Sequence, residues 1–124
     1  MAQMAEPLPI RGTQAEEVDH FVKFVGGTNA VTKVYGPGVT VTYISAGIVD
    51  LTWATGAQNP GTCLGVKGYC FQATTAADVK TYVLVPGVYN ATTCTLRLNM
   101  TEAGTLTNLA ALEWLGVTVA FAKV

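Results

Sequence analysis

Residues 39–53 read VTVTYISAGIVDLTW, and this stretch decides the fold. Apolar side chains alternate with threonine over 39–43, and a second alternation occupies 48–53. Between them, Ser45, Ala46 and Gly47 supply residues that favour a tight turn. A period of two places the apolar side chains on one face of a strand, so the stretch predicts a β-hairpin with one buried face.

The same pattern extends over most of the chain on both sides of this hairpin. Threonine and valine dominate with 18 and 16 copies, and both residue types favour pleated surfaces. Further strands are expected at 21–25, 31–35, 63–72, 79–85, 88–100 and 117–121, with Pro86-Gly87 ending the fourth of these. Seven or eight short strands at regular spacing predict an all-β fold, an antiparallel β-sandwich or jelly-roll-like architecture.

Two segments have sequence patterns that also fit a short helical turn. Thr13 followed by Glu16 resembles a helix cap, so 13–21 predicts a short helical turn, and the equal alternative is that 21–25 begins the first strand. Leucine spacing after residue 105 favours a single helical turn near Asn108.

Alternation also predicts which side chains are buried. Leu96 and Leu98 are expected to face inward while Arg97 faces solvent, and Val119 and Phe121 join the same core. The two tryptophans and five tyrosines allow either core packing or a sugar-binding platform. Core packing is the preferred interpretation.

Charge divides the chain into two parts. Six of the fifteen charged residues lie within 1–25, and only nine lie in the remaining 99 residues. Prolines at 7 and 9 favour extended backbone. We therefore expect an N-terminal arm at 1–19 and a β-sandwich domain at 20–124. Apolar side chains and one cation of the arm are the expected partner contacts: Met4, Leu8, Ile10 and Arg11.

Several functional classes are disfavoured by composition. A net charge of −1 without a basic cluster argues against nucleic-acid binding. The longest uncharged runs have 16 residues and contain turn formers, so no membrane span and no signal peptide is expected. A single histidine, His20, and a single serine, Ser45, occur without a catalytic motif. We expect no enzyme, no cofactor and no metal site, and we expect the acids, Glu113 among them, to lie on the surface.

Three cysteines, Cys63, Cys70 and Cys94, make an odd count. An odd count is atypical of a secreted disulfide framework. Three reduced thiols are the preferred prediction, and a Cys63–Cys70 bridge across a turn is the alternative.

The scarcity of charge in the body is the most informative feature of the composition. Charged residues make up 12% of the chain, against about 25% in a typical globular domain. Large low-charge surfaces are typical of assembly interfaces. The chain is therefore predicted to be a subunit of a larger assembly.

The C-terminal half carries a resemblance to a known group of proteins. It reads ATTAADVKTYVLVPGVYNATTCTLRLNM over 73–100, TEAGTLTNLAALEWL over 101–115 and GVTVAFAKV over 116–124. These stretches are similar to small β-sandwich virion proteins of tailed bacteriophages, namely head decoration (cement) proteins and head-fibre or tail-fibre knobs. The resemblance covers about residues 26–124 and leaves the arm outside.

The resemblance implies a function without catalysis. A capsid decoration protein would bind the outer surface of the phage head through the major capsid protein and stabilise it. It would act as a homotrimer or other small oligomer on the virion exterior, after synthesis in the host cytoplasm. The alternative is a fibre-knob or lectin-like module that recognises a cell-surface glycan.

Overall fold

The computed structural model describes residues 16–56, 59–72 and 81–123. These ranges contain nine strands and no helix. The strands are β1 (Glu16–Gly27), β2 (Ala30–Tyr35), β3 (Val39–Ser45), β4 (Ile48–Trp53), β5 (Thr62–Gln72), β6 (Tyr82–Asn90), β7 (Thr95–Glu102), β8 (Thr105–Leu106) and β9 (Trp114–Lys123). Accordingly, the described part of the chain has no helix that could cross a membrane.

The strands form two antiparallel sheets. Sheet A has the order β2-β1-β9-β5, and sheet B has the order β3-β4-β7-β6 with the short β8 beside β7. The chain passes from sheet A to sheet B between β2 and β3, where the Lys33 ammonium donates to the carbonyls of Gly36 and Val39 at 2.9 and 2.7 Å. The prediction of an all-β sandwich is confirmed.

One apolar core fills the space between the sheets. Sheet A contributes β1 and β9 side chains, and sheet B contributes β4 and β7 side chains. Leu96, Leu98, Val119 and Phe121 are all buried, as their alternation predicts, whereas Arg97 is exposed. Trp53 lies in the same core, which confirms core packing for one of the two tryptophans.

The β3–β4 hairpin follows the sequence prediction and also anchors a distant loop. Gly47 has a φ of 72°, and a Cβ there would lie 2.7 Å from the carbonyl oxygen of Met100. Its N–H donates to Oδ1 of Asn108 at 2.8 Å. The helical turn expected near Asn108 is wrong: residues 107–110 are irregular, because their polar groups bond to neighbouring strands instead of to one another.

Pro86-Gly87 does not end a strand, contrary to expectation. The strand β6 continues through it to Asn90, with a bulge in its register with β7 between Pro86 and Tyr89. The sheet accommodates a proline here because β6 is an edge strand and its register with β7 shifts directly after Pro86. The long strand expected at 88–100 is instead interrupted by a turn at 91–94, which the Asn90 side chain caps by accepting from the N–H of Thr92.

The N-terminal boundary also differs from expectation. The strand β1 begins at Glu16, so 16–19, assigned by sequence to the arm, pair with β9 as part of sheet A. The helical reading of 13–21 is therefore wrong for its described part. The segment forms a strand and not a helical turn because a strand buries both Val22 and Phe24 against the opposite sheet.

All three cysteines are free thiols. Cys63 and Cys70 lie on the same strand, β5, seven residues apart. That separation corresponds to about 20 Å in an extended strand, whereas a disulfide requires Cα atoms within about 7 Å. The alternative Cys63–Cys70 bridge is therefore wrong. Burial raises the pKa of the Cys63 thiol, which keeps it protonated at neutral pH.

Glu113 is not a surface acid. It is 2% exposed and precedes β9. Its Oε1 accepts from the Tyr82 hydroxyl at 2.7 Å and from the N–H of Ala110 at 2.8 Å. Burial and this hydrogen bond together raise the pKa of Tyr82. The carboxylate thus secures the irregular segment before β9 against β6.

Replacement of Leu96 by alanine tests the inner face of β7. Because Leu96 is 2% exposed, Leu96→Ala should lower the free energy of unfolding by about 2–5 kcal/mol through lost transfer energy and a residual cavity. Chemical denaturation measures the change. The control is Val88→Ala at a side chain that is 91% exposed, where a change within about 0.5 kcal/mol is expected. Equal effects of both variants would contradict the assignment of faces.

Replacement of Glu113 tests the buried carboxylate. Glu113→Ala leaves two part-buried donors without their acceptor, and the loss of each such hydrogen bond costs about 0.5–1.5 kcal/mol. We expect a clearly lower thermal midpoint for Glu113→Ala in calorimetry. Glu113→Gln keeps an acceptor oxygen and should lose less. An alanine variant as stable as the parent would show that the carboxylate does not hold this segment.

Candidate interaction surfaces

The contact residues expected from sequence, Met4, Leu8, Ile10 and Arg11, lie outside the described residues. The two catalytic candidates weighed from the sequence, Ser45 and His20, lie within the described residues. Ser45 ends β3, and the His20 ring accepts a hydrogen bond from a core tryptophan. Among the described residues no three His, Cys, Asp or Glu side chains converge on a possible metal position. The outer faces and edges of the sheets carry the remaining candidate surfaces.

The outer face of sheet A carries three large aromatic side chains. Phe21 of β1 and Tyr35 of β2 are 43% and 54% exposed, with ring centroids 6.2 Å apart. Trp114 at the start of β9 is half-buried on the same face. We call these three residues the aromatic surface. Exposed aromatic side chains on a sheet face are typical of protein interfaces.

A glycine allows two rings of the aromatic surface to pack closely over β9. Gly116 of β9 is covered by the Phe21 ring, 2.8 Å from where a Cβ would be, and by the Trp114 ring at 3.4 Å. The Lys23 ammonium stands 3.9 Å from the centroid of the Trp114 ring, a cation–π contact. The rings are therefore held in place by β9 and by one another before any partner binds.

The other end of the same face is charged. Lys67, the extra residue at a bulge of β5, reaches across to β1 and donates to Glu17 and Asp19 at 2.9 and 3.0 Å. The hydrogen bond to Glu17, followed by that to Asp19, raises the pKa of Lys67. All three side chains are about half exposed, so the cluster adds little stability. The single ammonium balances one of the two carboxylates, so the cluster carries a net charge of −1.

The outer face of sheet B is rich in threonine. Thr52 and Thr95 on neighbouring strands bring their hydroxyl oxygens within 3.2 Å. Beside them, Arg97 makes a bidentate pair with Asp50 at 2.8 and 3.0 Å, which raises the pKa of Arg97. A shallow depression next to this pair is lined by Gly87, Val88, Asn90 and Thr93. This face is polar along β4 and β7, whereas β6 adds exposed valines, Val83, Val85 and Val88, at its edge.

A groove runs along one edge of sheet A. It is lined by Val18, Asp19, His20, Phe21, Tyr35 and Pro37. The strand β2 pairs with β1 only from Lys23 onward, so the groove occupies the place that a longer β2 would fill. We call it the edge groove. It adjoins the aromatic surface, since both contain Phe21 and Tyr35.

His20 lines the edge groove but belongs mainly to the core. The indole N–H of Trp53 donates to its Nδ1 at 3.1 Å, and the Phe121 ring lies edge-on with centroids 5.2 Å apart. Burial lowers the pKa of His20, partly offset by the negative charge of Asp19 and reinforced by Lys123. A proton on Nδ1 would remove the acceptor, so the geometry requires a neutral ring.

The aromatic surface was missed by sequence reasoning. The run at 21–25 is apolar or amphipathic throughout, so alternation alone leaves the exposed face unassigned. A sequence signal exists, however. If Val22 and Phe24 face inward with the predicted core, Phe21 must face outward. The sequence favoured core packing for the tryptophans and tyrosines, but Tyr35 and Tyr69 are exposed.

The protonation of His20 should make stability depend on pH. It is the one histidine of the chain. Because its pKa is lowered in the folded protein, the unfolded state binds the proton more readily. Stability should be full above about pH 6.5, the unperturbed value, and should fall as the pH drops below it. Thermal midpoints at pH 8 and pH 5.5 measure the loss.

The control for this pH effect is His20→Gln, which removes the titrating group. Its midpoint should change less than that of the parent over the same pH interval. If both proteins lose the same stability, acidic groups are responsible and the Trp53–His20 contact does not govern the response.

Comparison of the chain with protein-family models, with curated proteins and with solved structures finds no match in any of the three.

Proposed function

We propose that this chain is a virion structural protein, a capsid decoration (cement) protein that binds the outer surface of a phage head and stabilises it. The observation that carries the proposal is the aromatic surface of Phe21, Tyr35 and Trp114 on sheet A. Its rings are preordered, so little side-chain entropy is lost on docking. The resemblance of residues 26–124 to small phage virion proteins supports the same function.

The proposed action is mechanical. A decoration protein that contacts two neighbouring capsid subunits adds buried surface across the boundary between them. Separation of the subunits then requires exposure of that surface, at about 25 cal/mol for each Å² of apolar area. The shell therefore resists internal pressure better with the protein bound than without it.

The proposed partner is the major capsid protein, and the proposed location is the virion exterior after synthesis in the host cytoplasm. Met4, Leu8, Ile10 and Arg11 of the arm are proposed as further contacts with the particle. A homotrimer is the proposed assembly, because the weakly charged faces of both sheets leave surface for contact between copies. Nucleic acid and membrane are not part of the proposal.

The alternative, a glycan-binding module, draws on a different feature. The edge groove combines two exposed rings, Phe21 and Tyr35, with the Asp19 carboxylate. Rings and a carboxylate are suited to the apolar faces and hydroxyl groups of a sugar. The decoration function is preferred, because Trp114 extends the aromatic area beyond the groove over the open sheet face.

Binding to particles tests the proposal. Purified protein is mixed with shells assembled from the major capsid protein of the same virus and sedimented. The parent should bind, appear in cryo-EM maps as threefold groups outside the shell, and raise the temperature at which shells rupture. The double variant Phe21→Ser/Tyr35→Ser should bind at least about tenfold more weakly, as expected for removal of central aromatic contacts.

The matched control is Val85→Ser, at an exposed apolar residue on the outer face of sheet B. It should bind as the parent does, and circular dichroism should show all three proteins folded. Failure of the parent to bind would overturn the decoration function. Equal binding by the double variant would place the contact elsewhere, and binding of soluble oligosaccharides in place of shells would support the glycan-binding module.

A further inference from the structure

The depression on the outer face of sheet B is a concave site that the proposed function does not use. Its volume is about 490 Å³, within the range of about 300–1,000 Å³ that is typical of small-molecule sites. Its lining residues belong to β4, β6, β7 and the turn that joins β6 to β7. We call this hollow, which lies over Thr95 and Arg97, the polar depression.

The floor of the polar depression is an ion pair held between two strands. Asp50 of β4 lies opposite Arg97 of β7, and the guanidinium donates to both carboxylate oxygens at 2.8 and 3.0 Å. The Asp50 side chain is 15% exposed and the Arg97 side chain 49% exposed. The two bonds use only part of the donors of the guanidinium and of the lone pairs of the carboxylate. The pair therefore keeps both donors and acceptors for a ligand.

A bulge in β6 opens the space beside this ion pair. Gly87 and Val88 both lie opposite Arg97, because the register of β6 with β7 shifts between Pro86 and Tyr89. A Cβ at Gly87 would lie 3.2 Å from the Arg97 carbonyl oxygen and 3.3 Å from the Arg97 Cβ. The Arg97 side chain leans the other way, toward β4, so the space between β6 and β7 stays open at this level. Bulges are common next to active sites, where they re-aim a side chain.

Hydrogen bonds of the turn at 91–94 fix the end of the polar depression. Oδ1 of Asn90 accepts from the N–H groups of Thr92 and Thr93 at 2.9 and 3.2 Å, so the amide NH₂ group is the part of Asn90 that remains for a ligand. The Thr95 hydroxyl donates to the carbonyl of Thr93 at 3.1 Å, and its oxygen remains an acceptor. These polar groups are in place before a ligand arrives, which lowers the entropy lost on binding.

The charge of the polar depression favours a neutral ligand. Asp50 and Arg97 are the charged residues among those that line it, and their charges cancel. A free anion would meet the Asp50 carboxylate, and a free cation would meet the guanidinium. A hydroxyl group both donates and accepts, so neighbouring hydroxyls of one ligand can donate to Asp50 and accept from Arg97. Val88 is 91% exposed and adds methyl groups that suit an apolar C–H face.

We propose that the polar depression binds a neutral saccharide, with adjacent ring hydroxyls on Asp50 and Arg97 and further hydroxyls on Asn90 and Thr95. The site belongs to sheet B, whereas the edge groove and the aromatic surface belong to sheet A. It is therefore separate from the groove invoked for the alternative function. The proposal does not rest on the decoration function, and attachment through the aromatic surface does not cover the site.

An NMR titration of the full chain tests the site. The probes are the methyl glycosides of galactose, glucose, mannose and N-acetylglucosamine, each raised to about 100 mM to cover millimolar dissociation constants. At least one glycoside should give saturable shifts of the Gly87, Val88 and Arg97 amides. No saturable shift with any of the four would overturn the proposal. Saturable shifts confined to Phe21 and Tyr35 would place saccharide binding in the edge groove and would also overturn it.

Substitution of the floor provides the mutational test. Asp50→Asn removes the charged acceptor and Arg97→Gln removes the charged donors, so each should raise the dissociation constant about tenfold or more. The matched control is Thr101→Ala, on the same face of β7 about 13 Å from Arg97 along the strand, which should bind as the parent does. Weakening by the control as large as that by the floor variants would contradict the assigned position.

Both floor variants are expected to fold, because an ion pair at the surface contributes little to stability. Circular dichroism verifies this for each protein. If one variant fails to fold, the other carries the test. Unchanged affinity in a folded floor variant would overturn the assignment of the floor.

Salt and a charged probe distinguish a neutral ligand from an anion. Affinity for a neutral glycoside should stay within about twofold between low and high salt, because screening acts on net charge. Saturation of the same amides by acetate at a lower concentration than by any glycoside would assign an anion site and overturn the proposal. These measurements use the free protein. Loss of particle binding would leave them intact, and failure of saccharide binding would leave the decoration function untouched.

Discussion

Burial of the inward side chains of β9 against the opposite sheet is the contact on which the remaining structure depends. Leu115, Val117, Val119 and Phe121 are fully buried. The same strand is paired on both sides, with β1 along one edge and β5 along the other. It therefore joins β5 to the rest of sheet A through β1. The positions of the outer surfaces depend on β9, because Phe21 lies on β1 and Lys67 lies on β5, and both strands pair with β9.

The parts of the fold that local pattern could predict are those where burial is one-sided. The hairpin over 39–53 and the inward face at Leu96 and Leu98 follow from alternation, because one face of each strand meets the core and the other meets solvent. Prediction fails at Pro86, where position at a sheet edge overrides the usual meaning of proline. Edge position is a tertiary property that a short window of sequence does not contain.

The polar contacts that fix the loops were equally hidden from the sequence. Asn108 and Glu113 form hydrogen bonds with groups that are distant in sequence, so no local spacing pattern predicts these contacts. The candidate surface had a weak signal, because the outward position of Phe21 follows once Val22 is assigned to the core. The predicted contact residues of the arm precede β1 and lie outside the described residues, so they stay a prediction.

The pairing of β1 with β9 has a consequence for mechanical load. Glu16 is opposite Lys123 and Val25 is opposite Trp114, with ten pairs in register between these ends. Tension that enters at Glu16 and leaves at Trp114 pulls along the strands and loads all ten pairs in shear. Tension applied between Glu16 and Lys123 opens the pairs one after another, as a zipper opens. The direction of the applied force, more than the number of hydrogen bonds, decides how much force the pairing of β1 with β9 withstands.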